Sequence, residues 1–212
     1  MIIAIESGSS DPSLALAAPD GAAFAVDGWA GEGRQAGDLL PHLLALLAGA
    51  RRELSDATVL AVGIGPGSFT GLRVSMSLAK GIAYALGVPI CGVPSLAAWL
   101  LAEPQAVAAV ARAGAQETYV LPRGEAEPRI VASAELPALL GTALVAAPSE
   151  LASAFGLGNA RSPSGAAAAI ASLAAARLAQ LPGGDDLERL EPAYLQAPRG
   201  IGPSSTEVRP WR

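Results

Sequence analysis

This 212-residue chain has few of the side chains that build disulfide and metal sites. Its one cysteine, Cys91, excludes a disulfide framework and is typical of a reducing compartment. Its one histidine, His42, has Asp38 and Leu46 as neighbours one helical turn away. One imidazole and one carboxylate do not supply a competent set of metal ligands or a histidine-based catalytic relay. We therefore expect no metal site, and we expect His42 to be a surface or interface residue.

Charged side chains are also scarce. They make up 16% of the residues, the net charge is −5, and hydrophobic residues reach 51%. A protein that binds RNA unaided presents a basic face, whereas the arginines here are scattered and only Arg51 and Arg52 are adjacent. The composition therefore argues against autonomous nucleic-acid binding. The apolar excess favours a surface that another protein covers, although a genome rich in alanine, glycine and proline codons explains it equally well.

No segment has the pattern of a leader or a membrane span. The N-terminus lacks a basic region before its apolar run, and Glu6 interrupts that run early, so it does not resemble a secretory signal. The longest run of small residues, 165–176, ends at Arg177 and is too short to cross a bilayer. We expect a soluble cytoplasmic protein with no membrane partner.

The nine residues Gly65–Arg73, GPGSFTGLR, carry the strongest local signal. They lie between a predicted strand at 59–64 and a predicted helix at 72–86. A strand, a glycine turn and a helix N-terminus form an anion cradle, and such a turn also lets a helix approach a sheet or another protein closely. Thr70 stands where a phosphate loop needs its second glycine, and the glycine spacing is one residue too long for a dinucleotide fingerprint. The favoured interpretation is that these glycines serve backbone geometry; anion binding is the alternative.

Hydrophobic patterning predicts the following elements in the first half of the chain: strands at 2–5, 13–17, 22–27, 59–64 and 88–93, and helices at 38–50 and 72–86. After Pro104 the pattern weakens to short strands at 107–111, 118–121 and 130–132, and helices at 151–155 and 166–181. We predict an N-terminal domain at 1–102, a smaller C-terminal domain at 103–196 and a flexible tail at 197–212.

The run GPGSFTGLR, followed by VSMSLAKGIA at 74–83, resembles the bacterial TsaB (YeaZ) family. The segments 2–8, 88–96 and 192–195 support the resemblance, which is strong over the first hundred residues, roughly, and thin afterwards. It implies an actin-like (ribonuclease-H-like, ASKHA) α/β fold, with a mixed sheet flanked by helices and two lobes, the second shortened. It also implies a non-catalytic scaffold and activator subunit in the synthesis of threonylcarbamoyladenosine, the modified adenosine next to the tRNA anticodon.

The family implies specific partners. The chain would pair with a TsaD-like catalytic paralogue and a TsaE-like ATPase, form a homodimer when that partner is absent, and meet tRNA only indirectly through the complex. The sequence supplies a physical reason, because both long predicted helices are apolar over most of their circumference and their own sheet covers only one side. The predicted partner interface consists of Leu39, Leu43, Leu46, Leu47, Gly71, Leu72, Val74, Ser75, Leu78 and Ile82.

Glu6, Ser7 and Gly8 are weak candidates for a nucleotide site, because they resemble the first phosphate turn of actin-like ATPases. Glutamate replaces the aspartate of that turn, and we favour Glu6 as a strand-end residue that satisfies local backbone donors. We expect no cofactor, with ATP or ADP only at an interface shared with a partner. The alternative function is a stand-alone actin-like ATPase or a glycoprotease-type hydrolase.

Overall fold

Two five-stranded mixed sheets organise the part of the chain that the computed structural model describes, residues 1–30 and 35–193. The first half contains β1 (Ile2–Glu6), β2 (Ser13–Ala17), β3 (Ala23–Gly28), α1 (Gln35–Gly49), β4 (Val59–Gly63), α2 (Phe69–Leu86), β5 (Ile90–Val93) and α3 (Ser95–Ala102). The second half contains β6 (Ala108–Arg112), β7 (Glu117–Pro122), β8 (Arg129–Ala132), α4 (Leu136–Leu140), β9 (Val145–Ala146), α5 (Ser149–Ala154), β10 (Ala160–Arg161) and α6 (Ala166–Leu178). The predicted tail at 197–212 lies outside the described residues. Within those ranges, no helix is long and apolar enough to cross a membrane.

The first sheet has the strand order β3-β2-β1-β4-β5, with β1 antiparallel to β2 and parallel to β4. Every residue of β1 and β2 is buried, because helices cover both faces of the sheet at these strands. The parallel strands β1, β4 and β5 end at the same edge, which brings Glu6, Gly63 and Val93 to one side of the lobe. The loops that leave this edge line a cleft between the two lobes.

The second sheet repeats the first. Its order is β8-β7-β6-β9-β10, with β6 antiparallel to β7 and parallel to β9, so each strand has a counterpart of the same direction. Two such ribonuclease-H-like units in one chain constitute the actin-like fold, and the predicted fold class is confirmed. The second unit is the reduced one, since β9 and β10 have only two residues each.

Helix packing interlocks the two halves. Helices α1 and α2 cover one face of the first sheet, where Leu39 and Leu43 pack with Ile3 and Ile5. The opposite face is covered by α6, which follows the second sheet in the chain. Helix α3 packs on α6 and, through Trp99, on the second sheet. The two sheets lie on either side of residue 102, and α6, which follows the second sheet in the chain, belongs to the core of the first. The domain boundary stays a prediction.

The turn between β1 and β2 ties the lobes together. The Asp11 carboxylate accepts hydrogen bonds from the Ser149 amide and hydroxyl, each at 3.3 Å, and from the Ser162 hydroxyl. Ser13 accepts a hydrogen bond from the Ala167 amide at 3.1 Å. Since the Asp11 bonds join the first lobe to Ser149 and Ser162 of the second, they fix the spacing of the lobes.

Candidate functional site

A groove of about 500 Å³ lies between α1 and α2 on the outside of the first lobe. The residues that line it are Leu39, Leu40, Phe69, Thr70, Arg73, Val74, Ser77 and Leu78. Leu40 is 44% exposed and Phe69 is 48% exposed, and Leu44, at 51%, extends the apolar surface along α1. Contiguous apolar side chains in water mark a surface that binds another protein.

The ten residues predicted for the partner interface divide into two sets. Leu46, Val74 and Leu78 are partly exposed. The other seven are buried in the chain's own core: Leu39, Leu43, Leu47, Gly71, Leu72, Ser75 and Ile82. The prediction that these seven side chains form an accessible surface is corrected by the structure. They form the side of each helix that faces the sheet and the core. The open stripe instead contains Leu40, Leu44 and Phe69, which the prediction missed.

An exposed glycine lies in the middle of α2. A Cβ at Gly81 would meet no described atom within 4 Å, and the residue is exposed. Glycine inside a helix costs ~1 kcal/mol relative to alanine. Nothing in the described part of the chain requires this glycine, so its place on the open side of α2 fits close approach by a second protein.

The glycine turn before α2 binds the β1–β2 turn rather than presenting an open cradle. The Ser68 amide donates to the Gly8 carbonyl at 2.7 Å, and the Ser7 hydroxyl donates to the Gly71 carbonyl at 2.7 Å. The Gly71 amide donates to the Ser68 hydroxyl at 3.2 Å, which caps the helix. The Gly65 amide donates to Ser95 at 3.0 Å. These amides are already used within the chain, so the interpretation as backbone geometry is favoured over anion binding.

Gly67 and Gly81 give a matched pair of substitutions. A Cβ at Gly67 would overlap the Gly8 carbonyl oxygen, whereas a Cβ at Gly81 has open space. We expect Gly67→Ala to lower the free energy of unfolding by ~2 kcal/mol or more, because two backbone segments must move apart. We expect Gly81→Ala to raise it by ~0.5–1 kcal/mol. Urea denaturation measures both, and equal effects of the two substitutions would refute the close contact between the turns.

Glu6 lies beneath these turns, at the end of β1, and is fully buried. Its Oε1 accepts a hydrogen bond from the Gly8 amide, and its Oε2 has no hydrogen-bond partner in the described part of the chain. Burial raises the pKa of Glu6 from its usual 4.5 to about 7, an effect that the neighbouring Ser95 hydroxyl and the Gly8 amide partly offset. A Cβ at Gly63 would overlap this carboxyl group, which explains the glycine at the end of β4.

His42 is on α1 and turns towards β3. Its Nδ1 lies 2.6 Å from Asp27 Oδ2, and its ring stacks on Trp29 at 3.8 Å between centroids. The described residues contain no cluster of three histidine, cysteine, aspartate or glutamate side chains that could hold a metal ion. The imidazole is about one-third exposed, which places it at the surface as predicted.

A cleft of about 640 Å³ lies between the lobes. It is lined by the β1–β2 turn at 8–10, the start of α2 at 67–70, the β6–β7 turn at 111–114 and the start of α5, with Trp99 in its wall. Equivalent loops of the two repeats therefore face each other. Glu6 does not line the cleft, whereas Gly8 does; Arg112 and Glu150 form an ion pair at 3.2 Å within the second lobe.

A family model described as TsaD, tRNA N6-adenosine threonylcarbamoyltransferase, matches residues 36–157, more than half of the chain. The chain belongs to the TsaD family. The solved structure of YeaZ from Pseudomonas aeruginosa matches with a TM-score of 0.65 at 24% identity, covering 92% of this chain and 99% of that one. At that identity the match shows the fold alone.

Curated relatives match a segment of 58 residues, about a quarter of this chain. An uncharacterised protein of Mycobacterium tuberculosis (strain ATCC 25618 / H37Rv) is 48% identical over 58 residues, 27% of this chain and 28% of that one. The tRNA threonylcarbamoyladenosine biosynthesis protein TsaB of Escherichia coli (strain K12) is 40% identical over 58 residues, 27% of this chain and 25% of that one. The matches thus span about a quarter of the length of these relatives. The resemblance to TsaB (YeaZ), inferred from the sequence, is confirmed.

Proposed function

We propose that the chain is a non-catalytic subunit in tRNA threonylcarbamoyladenosine synthesis, which binds a TsaD-like catalytic chain through its α1–α2 groove. The observation that carries this proposal is the apolar surface of Leu40, Leu44 and Phe69, which is exposed in the isolated chain. Burying this surface against a partner would stabilise the complex by ~25 cal/mol for each Å² of apolar area removed from water. The TsaB name of the Escherichia coli relative supplies the pathway.

The family description names a transferase, and we do not assign that activity to this chain. The sequence contains one histidine, His42, whose ring contacts the Asp27 carboxylate and stacks on Trp29. Among the residues that the structure describes, no three histidine, cysteine, aspartate or glutamate side chains lie together in a way that could hold a metal ion. We therefore propose that catalysis belongs to the TsaD-like partner, and that a TsaE-like ATPase joins the same complex.

The alternative of a stand-alone ATPase or hydrolase gains no support from the site. It would need Glu6 to reach a substrate, whereas this carboxyl group is fully buried and does not line the cleft. It would also need free amides in the glycine turn, and those of Ser68 and Gly71 are hydrogen-bonded within the chain.

Reconstitution tests the proposal. Full-length chain is combined with a TsaD-like chain, a TsaE-like ATPase, threonylcarbamoyl-adenylate and substrate tRNA, and modified adenosine is measured by mass spectrometry of the digested tRNA. We expect modification to depend on this chain and to be lost with Leu40→Asp. Modification that proceeds equally without the chain, or ATP hydrolysis by the purified chain that Glu6→Ala abolishes, would overturn the proposal.

A further inference from the structure

The α1–α2 groove and the inter-lobe cleft meet at the first turn of α2. Phe69 and Thr70 line both. The Phe69 ring is 48% exposed, and the Arg73 guanidinium carbon lies 3.9 Å from the ring centroid, a contact that holds the ring in place. A polypeptide that follows the groove towards the start of α2 therefore reaches the cleft by crossing Phe69.

The cleft offers neutral walls. Much of its lining is turn backbone and small side chains at 8–10, 67–70 and 111–114. Of the described residues that line it, Arg112 is the one cation, and Glu150 already pairs with it. The amides of Gly8 and Ser68 donate within the chain. A highly charged small ligand would find few groups to neutralise it, whereas an uncharged peptide segment would fit these walls.

The shape of the cleft is also fixed in advance. Asp11 of the first lobe holds Ser149 and Ser162 of the second, on the side where the cleft is lined by the start of α5. A preformed cavity spares a ligand the cost of ordering the lobes.

We infer that one loop of the partner bound at the α1–α2 groove continues past Phe69 and fills the inter-lobe cleft. This inference rests on the proposed function and extends its interface. The occupant is a loop of the TsaD-like chain, apolar where it contacts Phe69 and uncharged where it lies between the lobes. Phe69 is then the anchor shared by both parts of the interface, in keeping with the enrichment of buried aromatic residues at binding hot spots.

Two matched pairs test the inference, with the affinity of full-length chain for the TsaD-like chain measured by calorimetric titration. Ala113→Trp narrows the cleft, and Ala176→Trp places the same bulk on the exposed side of α6. We expect roughly 10-fold weaker binding or more for the first and an unchanged affinity for the second. Phe69→Ala should weaken binding by roughly 100-fold, whereas Tyr84→Ala, an exposed aromatic of α2 outside both cavities, should change it less than about 3-fold.

Thermal unfolding of each variant checks that it folds. Should Ala113→Trp fail to fold, Glu150→Trp places the bulk at an exposed position in the cleft lining instead. If the folded cleft variant binds the TsaD-like chain with wild-type affinity, the inference is overturned. The same result is expected if a small molecule, rather than a loop of the partner, occupies the cleft. If Leu40→Asp abolishes binding in the same assay, the proposed function survives that failure; if Leu40→Asp also binds normally, the proposed interface fails with it.

Discussion

We expect Leu40→Asp to weaken binding of the TsaD-like chain by roughly 100-fold, about 3 kcal/mol, without unfolding this chain. Leu40 is 44% exposed and lines the groove between α1 and α2. In the complex its side chain would lie among apolar groups, so a carboxylate at this position would lose its hydration without gaining a partner. In the free chain the same carboxylate stays in water, which is why the fold tolerates it. Calorimetric titration measures the affinity.

The control is Leu139→Asp, since Leu139 is also a leucine on a helix, is 45% exposed and lies on α4, outside the groove. It should bind like the wild type. The same substitution at Leu43 is not a test of binding, because that side chain is fully buried and a charge there would unfold the core. Equal affinities for Leu40→Asp and Leu139→Asp would mean that the partner does not use the groove.

We expect Glu6→Gln to remove a large pH dependence from the stability of this protein. Burial raises the pKa of Glu6 to about 7 in the folded chain, against 4.5 in the unfolded one. Between these values the folded state holds a proton that the unfolded state has released, so the free energy of unfolding falls as pH rises. The stabilising contribution is complete below pH 4.5 and is lost as pH passes 7. The whole change amounts to about 3 kcal/mol.

Glutamine keeps the size of the protonated side chain and cannot ionise. The difference in unfolding free energy between Glu6→Gln and wild type, from urea denaturation at pH 5, 6, 7 and 8, should therefore grow with pH in favour of the variant. Glu150→Gln is the control for the loss of one carboxylate, because Glu150 is 68% exposed. Parallel profiles for Glu6→Gln and wild type would contradict the buried position of this carboxyl group.

The first lobe could be predicted from the sequence because its elements are long and regular. The unbroken apolar residues of β1 and β4 and the three-stranded meander indicated β1 to β5, α1 and α2 in the right order and to within a few residues, whereas α3 was not among the predicted helices. The start of α2 was predicted at residue 72, whereas the helix begins at Phe69. Gly71 lies in the first turn of the helix, and a glycine there reads as part of the preceding turn. A meander followed by alternating helices and strands resembles the actin-like fold, and the family resemblance implied the same fold.

The exposed face of α1 could not be predicted, for a physical reason. Two apolar stripes lie side by side on this helix, one with Leu39 and Leu43 and the other with Leu40 and Leu44, and helical periodicity does not say which one faces the sheet. The structure buries the first and exposes the second. A large aromatic at the helix start, Phe69, was the available signal for the missed surface.

The second lobe was hard to read because it is small. Two-residue strands such as β9 and β10 show no periodicity, and α4 has only five residues. Its strands are recognisable because they repeat the strand order of the first sheet, which becomes visible only in the folded backbone. Helix α6 follows the second sheet in the chain but packs on the first. This position depends on which face of the first sheet remains uncovered after α1 and α2 have packed.

Hydrogen exchange on the full-length chain, with and without saturating TsaD-like chain, tests the central claim most directly. The account predicts that amide exchange slows on binding along α1 and along α2 from Phe69 to Gly81, while the exposed strand β8 and helix α4 are unchanged. Slower exchange confined to the second lobe, with α1 and α2 unaffected, would contradict it.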